Sequence, residues 1–598
     1  AYNLKKKVWV AQCDMIVAEE KGLLKMDLLG LATLDCINDT LYFIRKYRGI
    51  EININTINFE PEVFSNIFCT GNTNSVFQFE SSGMKSMLKD FKPDSIEDLI
   101  LLVACYRPGP LQYLDKIIKV KNKEIPVTYK TPELEPILRE TYGAIVYQEE
   151  VMQIFQSLAG YSLGGADLVR RAMSKKKEKV LEKERHAFIY GDVERGIEGC
   201  KNRGISEDVA NELFDEVLDF AKYAFNKSHA TAYAIVAYQT AWLKFHYPKE
   251  FLCAMFNNVD QDKFGPVIDD CNLYNIKLLP PDINNSYYDF VVENGDIRFG
   301  ISGIKGIGDA NKPIILKICK ERCNGIYESI EDFLLRNLVL KENETYSTIP
   351  NKLYNIFARA GIFDTLGYNR EDICNIEIKD GEYSYIKNLI QKLEVPKNNA
   401  SLSYNINNEI ELLGAIVSIN PLQDYHNDEK YSCNRICDLI EDSQCTVYGF
   451  VTTIKEKTNK YGQDIYIVEI RGKTGKLIIY TNATIHSRYT PDMLLHKVVK
   501  CKGRYKYDIL FASELTFMQP DILDYFIDLT EEDTTRMLMS LLKRTVHRDI
   551  NVKVLCHWLQ KDGKLIETNR PKLTDIKLTY REMNLLKQEG IVFHKWNI

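Results

Sequence analysis

A chain of 598 residues has room for about three to five domains, and its 45% apolar and 27% charged content is that of an ordinary water-soluble globular protein. No apolar run approaches the roughly 18 residues that a membrane span needs, and the N-terminal AYNLKKKVWV lacks the apolar core of a secretory signal. The net charge of −6 disfavours indiscriminate binding to polyanions, so any such contact must be local.

In chain order, residues 1–32 end in the compact apolar stretch GLLKMDLLGL, strand-like up to Leu28 with a helix starting near Gly30. From 33 to about 280 the period is helical. Val151, Ile154, Phe155 and Leu158 share one face, as do Val209, Leu213, Phe214, Val217 and Phe220. DLILLVACY at 98–106 is a short buried element; Pro108-Gly109-Pro110, Gly164-Gly165 and Pro248 punctuate the block. A linker, LLPPDINNS, lies near 280. Short helices then surround a glycine turn within 297–340, and a polar stretch at 393–410 reads as flexible. From 445 to 518 the period becomes two, with strands at CTVYGFV, DIYIVEI, GKLIIY, VVKCKGR and ILFASEL. Five short strands with polar turns suggest a small OB-type barrel. The C-terminal segment is mixed and ends in helix, turn and strand. The fold class expected is multidomain α+β.

Three patterns carry chemistry. LVRRAMSKKKEKVLEKER at 168–185 has eight Lys/Arg against three Glu, a local net of +5 in an acidic chain, which suggests an aimed contact with a polyanion. The alternative is a solvated helix face, which suits the Lys/Glu mix better than it suits Arg170-Arg171 beside apolar neighbours. In FNKSHATAYAIVAYQTAWL at 225–243, the turn Asn226-Lys227-Ser228 delivers His229 to the first turn of a long helix that runs to Pro248. That helix N-terminus can itself attract phosphate; the alternative is a buried helix capped by Ser228 with a structural histidine. In IKGIGDA at 304–310, Gly306 and Gly308 allow backbone N–H groups close to a phosphate, although any helix–helix turn could use such a pair. The fifteen cysteines form no zinc pattern. The closest pairs, Cys319/Cys323 and Cys433/Cys437, lack a matching second pair, so the thiols read as reduced and mostly buried.

KMDLLGL at 25–31, GNTNSVFQFESSGMKSMLKDFKPDSIEDLILLVACYRPGP at 71–110, YQEEVMQIFQSLAGYSLGGADLVRRAMSKKK at 147–177 and FNKSHATAYAIVAYQTAWLKFHYPKEF at 225–251 together resemble, in content and order, the C-family replicative DNA polymerases, the alpha subunits of bacterial DNA polymerase III. FGISGIKGIGDA, ARAGIFDTLG and ELLGAIVSINPLQDY follow in the family's order, so the resemblance spans residues 10 to 518. It implies the end of a mixed palm sheet at 1–32, fingers at 33–280 and a helix-hairpin-helix region at 281–425. The OB-type barrel then occupies 426–520, and 521–598 is a small α/β segment without an assigned role.

The resemblance also implies a chemistry: addition of dNTPs to the primer 3′-end on primer–template DNA, by two-metal phosphoryl transfer with Mg²⁺. Asp27 takes the place of the third palm aspartate and metal ligand, with Lys25 reaching the triphosphate. Arg170 and Arg171 match the fingers pair that grips the triphosphate, and Lys227 points toward phosphate from the same motif as His229. His229 lies beside the incoming sugar, where it helps exclude a 2′-hydroxyl, and Phe225 packs near the nascent base pair. Lys305, Gly306 and Gly308 contact duplex backbone. Basic and aromatic barrel positions such as Lys455, Lys457, Lys460, Tyr461 and Tyr466 meet single-stranded template.

Departures from the family pattern matter equally. The strand that carries the first two palm aspartates is not found in the 26 residues before Asp27, so a complementing chain with the N-terminal polymerase half is expected. Ala1 suits either a separately encoded half or a fragment. A sliding-clamp peptide is matched poorly by IQKLEV near 390–395. The expected setting is a bacterial cytoplasm; the Asn-, Ile- and Lys-rich composition suits an AT-rich, phage-like genome. The competing reading is a non-catalytic DNA-binding or structural fragment of a replisome.

Overall fold

The computed structural model describes residues 1–393, 402–418, 422, 439 and 442–518, with breaks at 5–6, 24–25, 27–29, 108–109, 175–177, 221–223, 343, 460, 472–475 and 507–508. Beyond 518 it describes 525–529, 535, 537–539, 550–561, 564–578, 586 and 594–595. The chain divides into two units, Ala1–Val259 and Asp260–Ile598.

The first unit is helical, and its axis is the long helix Lys227–His246. Ala230, Ala234, Ala237 and Ala241 repeat at helical spacing and are fully buried, so small side chains let neighbouring elements come close. The apolar helix Ile96–Cys105 packs there, which is where the buried run at 98–106 goes. The other half of the axis is stapled to two loops by polar groups. Tyr238 donates to the Asn58 carbonyl (2.9 Å) and accepts from the Glu60 N–H (2.6 Å). Trp242 Nε1 donates to one Glu60 oxygen and His246 Nε2 meets the other, both at 2.8 Å. Lys244, 0% exposed, donates to the carbonyls of Asn72 (2.9 Å) and Asn74 (2.8 Å). Burying an ammonium group is tolerable only with such partners.

A second core joins the helices Gln148–Ala159, Leu163–Ser174, Glu178–Tyr190 and Glu207–Phe220. Val151, Ile154, Phe155 and Leu158 line it from the first, and Leu213, Phe214, Val217 and Phe220 from the last, as their periodicity requires; Val209 is only partly buried.

Several expectations are revised. Residues 1–32 hold a two-stranded hairpin, Tyr2–Asn3 with Val8–Trp9, and then a helix, Met15–Glu20, while most of the stretch expected to be strand-like up to Leu28 lies outside the described residues. Asp14 starts that helix by accepting from the Val17 N–H (2.9 Å). The next helix begins at Ala32, capped by Leu31, close to the start expected near Gly30. Gly164 and Gly165 are no turn but lie in the first turn of the Leu163–Ser174 helix, where Ser162 Oγ accepts from the Gly165 N–H (3.2 Å).

The second unit begins with the helix Phe264–Leu273 and a three-stranded sheet of Leu278–Leu279, Asp296–Arg298 and Val291–Glu293, in that spatial order. Short helices follow. The polar stretch at 393–410 is helical from Leu402 to Leu413, and burial of charge explains why polarity misled. Glu409 on it is buried and binds Arg370 Nη2 (2.9 Å) and the N–H groups of Val417 (2.6 Å) and Ser418 (3.0 Å). Arg370 also pairs with Asp364, and a Cβ at Gly361 (φ +81°) would sit 2.3 Å from its guanidinium. Here the glycine makes space for an arginine.

Five strands then close a barrel: Ser443–Thr458, Asp464–Arg471, Lys476–Tyr480, Val498–Lys506 and Ile509–Phe517. Numbered as first to fifth, their order around the barrel is third, fifth, fourth, first, second, with the third and fifth parallel and the other pairs antiparallel. Two short helices, Ala483–Arg488 and Pro491–Leu494, link the third and fourth strands and send Ile485 and Leu494 into the barrel core. This is the OB-type topology expected from the alternating strands. The C-terminal segment contributes a four-stranded sheet built around the hairpin Ile550–Lys561 and Lys564–Leu578.

Candidate active site

The N-terminal half of the long helix is exposed where the C-terminal half is buried. Asn226, not Ser228, is the cap: its Oδ1 accepts from the His229 N–H (2.9 Å), and the helix begins at Lys227. The segment before it is locked to the start of the Gln148–Ala159 helix. Phe225 N–H donates to the Val146 carbonyl (3.0 Å), and Gln148 N–H donates to the Phe225 carbonyl (2.9 Å). Glu149 accepts from Asn226 Nδ2 (3.1 Å) and from the Lys227 N–H (3.0 Å). A carboxylate of the protein itself therefore occupies the end of the helix where phosphate attraction was expected. Anion contacts fall to side chains instead. Lys227 Nζ meets Glu140 at 2.5 Å, on the rim of an open depression of about 440 Å³ lined by Glu149, Lys227, Ser228, Thr231, Ala232 and Ile235.

Beneath this junction Glu150 is buried. Its carboxyl accepts from the N–H groups of Val146 (2.7 Å) and Tyr147 (2.8 Å) and from Thr141 Oγ1 (2.9 Å). Burial pushes its pKa up to about 7, against these donors, which pull it down.

Phe225, His229 and Tyr233 stand one turn apart and form a ladder of rings. Phe225 and His229 meet edge-to-face at 5.4 Å, and His229 and Tyr233 lie tilted at 4.3 Å. Phe77 adds a fourth ring, 5.1 Å from Tyr233. The Arg107 guanidinium lies over the Phe225 ring at 4.2 Å, and its burial depresses its pKa. Sequence reasoning singled out neither Arg107 nor Phe77 as site residues. They arrive from distant segments, and the four-residue spacing of 225, 229 and 233 was the available signal for the rest.

Arg170 and Arg171 share one carboxylate. Arg170 Nε and Nη2 reach Asp167 Oδ1 (3.1 and 2.8 Å), and Arg171 Nε reaches Oδ2 (2.8 Å). The Arg170 hydrogen bonds lead in holding the Asp167 carboxyl below its ordinary range. Arg170 is 17% exposed and Arg171 66%, so Arg171 is the more open of the two. Three residues join this helix to Gln148–Ala159, and the two pack through one core, so they run as an antiparallel hairpin. Lys175, Lys176 and Lys177 lie outside the described residues, as do Lys25, Asp27, Lys460, Cys433 and Cys437.

In the second unit, Lys305 and Gly306 are exposed and Gly306 takes a left-handed φ of +90°, where a Cβ would press on Ile356 at 3.1 Å. The Lys305 N–H is spent on the Leu412 carbonyl (2.8 Å), and that of Gly308 faces Asn311 Oδ1 at 3.4 Å. On the barrel, Lys455 and Lys457 are exposed, and Tyr461 is 75% exposed on the turn that follows the first strand. Tyr466 is not a surface position: it is buried in the barrel core against His486, with ring centroids 4.4 Å apart. Among the described residues no group of three or more His, Cys, Asp or Glu side chains could hold a metal ion, and no helix is long and apolar enough to cross a membrane.

Comparison with known proteins agrees with this layout. Residues 33–196 match the family described as the bacterial DNA polymerase III alpha subunit finger domain, and residues 275–373 match a helix-hairpin-helix motif. The chain is similar to the DNA polymerase III subunit alpha of Aquifex aeolicus, 36% identical over 505 residues, covering 83% of this chain and 42% of that protein. It is similar to that of Escherichia coli at 32% over 607 residues, covering 93% and 51% respectively. The Bacillus subtilis protein is 29% identical over 628 residues, covering 98% and 54%. The chain spans about half the length of the curated relatives it matches.

Proposed function

Since the chain belongs to the DNA polymerase III alpha-subunit family, we propose that it forms the nucleotide-binding fingers and the DNA-binding C-terminal part of a DNA-directed DNA polymerase. Its substrates are dNTPs and its template is primed DNA. The observation that supports this most directly is the gathering of Phe225, Lys227 and His229 at one helix end that is fixed to the start of Gln148–Ala159, the helix followed by the one that carries the Arg170–Arg171 pair.

Arg170, Arg171 and Lys227 bind the triphosphate. Each is pre-extended by a carboxylate, Asp167 or Glu140, and exchanges that partner for phosphate oxygens. His229 flanks the sugar at C2′, and Phe225, backed by Arg107, lies against the nascent base pair. Lys25 joins the triphosphate contacts, and Asp27 would hold Mg²⁺. Bound ions would supply activation of the primer 3′-hydroxyl and stabilisation of the leaving pyrophosphate. One carboxylate cannot hold two such ions, so Asp27 would share them with further palm carboxylates. In the second unit, Lys305, Gly306 and Gly308 contact duplex backbone, and Lys457, Lys460 and Tyr461 contact single-stranded template.

The test is primer extension by the purified chain with and without a polypeptide carrying the missing palm strand. Extension should require both. Robust incorporation by this chain alone would overturn the shared-metal reading, and no incorporation by the pair would favour a non-catalytic DNA-binding role.

A further inference from the structure

We propose that Tyr233 is a positioning residue that fixes the ring of His229 and thereby sets sugar discrimination; this rests on the sugar-facing role given to His229 above. Among the described residues neither imidazole nitrogen of His229 has a hydrogen-bond partner, and the side chain is exposed. An exposed imidazole without such a bond would sample several rotamers. What holds it is ring contact: Phe225 at 5.4 Å on one side and Tyr233 at 4.3 Å on the other.

Both neighbours are anchored. Phe225 is held by its two backbone hydrogen bonds and by Arg107. Tyr233 is half-buried and backed by Phe77, and Phe77 sits on a loop held by four hydrogen bonds. The Phe77 N–H donates to Thr240 Oγ1 (3.2 Å), Thr73 Oγ1 donates to the Phe79 carbonyl (2.6 Å), and buried Lys244 ties down the carbonyls of Asn72 and Asn74. Ser75 and Gln78 take left-handed φ values of +58° and +68°, a strain that persists only where the surroundings over-determine the backbone. Rigidity thus passes from a strained loop to Phe77, to Tyr233 and to the ring that meets the sugar. The Tyr233 ring is what transmits it, so the hydroxyl should be dispensable.

The experiment is single-turnover insertion of dNTP and rNTP by the complemented polymerase carrying Tyr233→Leu, Tyr233→Phe, Phe77→Leu, His229→Ala or Tyr233→Leu with His229→Ala. Thermal melting confirms that each variant is folded. Tyr233→Leu should raise the ribo-to-deoxy insertion ratio about tenfold, the scale of a contacting-pair coupling, with Phe77→Leu in the same direction and Tyr233→Phe retaining the wild-type ratio. In the His229→Ala background Tyr233→Leu should add almost nothing. If Tyr233→Leu slows both substrates equally, or raises the ratio as much without His229 as with it, the positioning role is overturned. If His229→Ala itself leaves the ratio unchanged, the sugar-facing reading has failed and the inference falls with it.

Discussion

The two halves of the Lys227–His246 helix do opposite work on one continuous backbone. From Tyr238 onward each polar side chain is consumed by a loop: Tyr238, Trp242 and His246 hold the segment around Glu60, and Lys244 holds the one around Asn74. Before Ala234, Lys227 and His229 reach outward, Lys227 directed by local carboxylates and His229 by the rings of Phe225 and Tyr233. Lys244 in the second half is a structural part, whereas Lys227 in the first is the one proposed above to bind a ligand. Residue type does not separate Lys227 from Lys244; burial does.

That contrast can be broken at several points. The largest effect is expected at the exposed half: His229→Ala should raise ribonucleotide insertion relative to deoxynucleotide insertion by about two to three orders of magnitude, measured by paired single-turnover assays, with little change in melting temperature. Lys244→Met should do the reverse. It leaves the Asn72 and Asn74 carbonyls without their ammonium donor and should cost about 3 kcal/mol of stability, read by denaturant unfolding, while nucleotide selectivity shifts only through the loop that carries Phe77.

Glu150 offers a smaller and pH-dependent test. Its folded pKa of about 7 lies above the ordinary 4.5, so the folded state binds the proton more tightly. The stability it contributes is fully present below about 4.5 and is lost as pH rises through about 7. Glu150→Gln should flatten the fall in melting temperature across that window; an unchanged slope would show that the three donors, not burial, dominate its titration.

The sequence made regular periodicity legible and hid burial of charge. Strand alternation gave the barrel, and helical spacing gave the faces of Gln148–Ala159 and Glu207–Phe220, because apolar repeats map directly onto a core. The helix Leu402–Leu413 was not legible: Glu409 reads as solvent-facing until Arg370, 39 residues away, is seen to neutralise it. At the candidate site the motif residues His229, Lys227, Phe225, Arg170 and Arg171 were all nameable from the sequence. Arg107, Phe77 and the carboxylates Glu140, Glu149 and Asp167 were not, since their roles exist only through long-range or side-chain geometry. Tyr466 failed in the opposite sense, an aromatic in a strand that points inward because of register.

The most direct test of the central claim, that the exposed helix end and the neighbouring hairpin bind the nucleotide, is the paired measurement of dNTP kinetics and duplex affinity for Arg170→Ala and Arg171→Ala in the complemented enzyme. Loss of one charged phosphate contact should raise the apparent KM for dNTP about tenfold or more and lower kcat, while the Kd for primer–template DNA stays at the wild-type value. A fall in duplex affinity with unchanged dNTP kinetics would contradict it and assign the arginines to the DNA backbone.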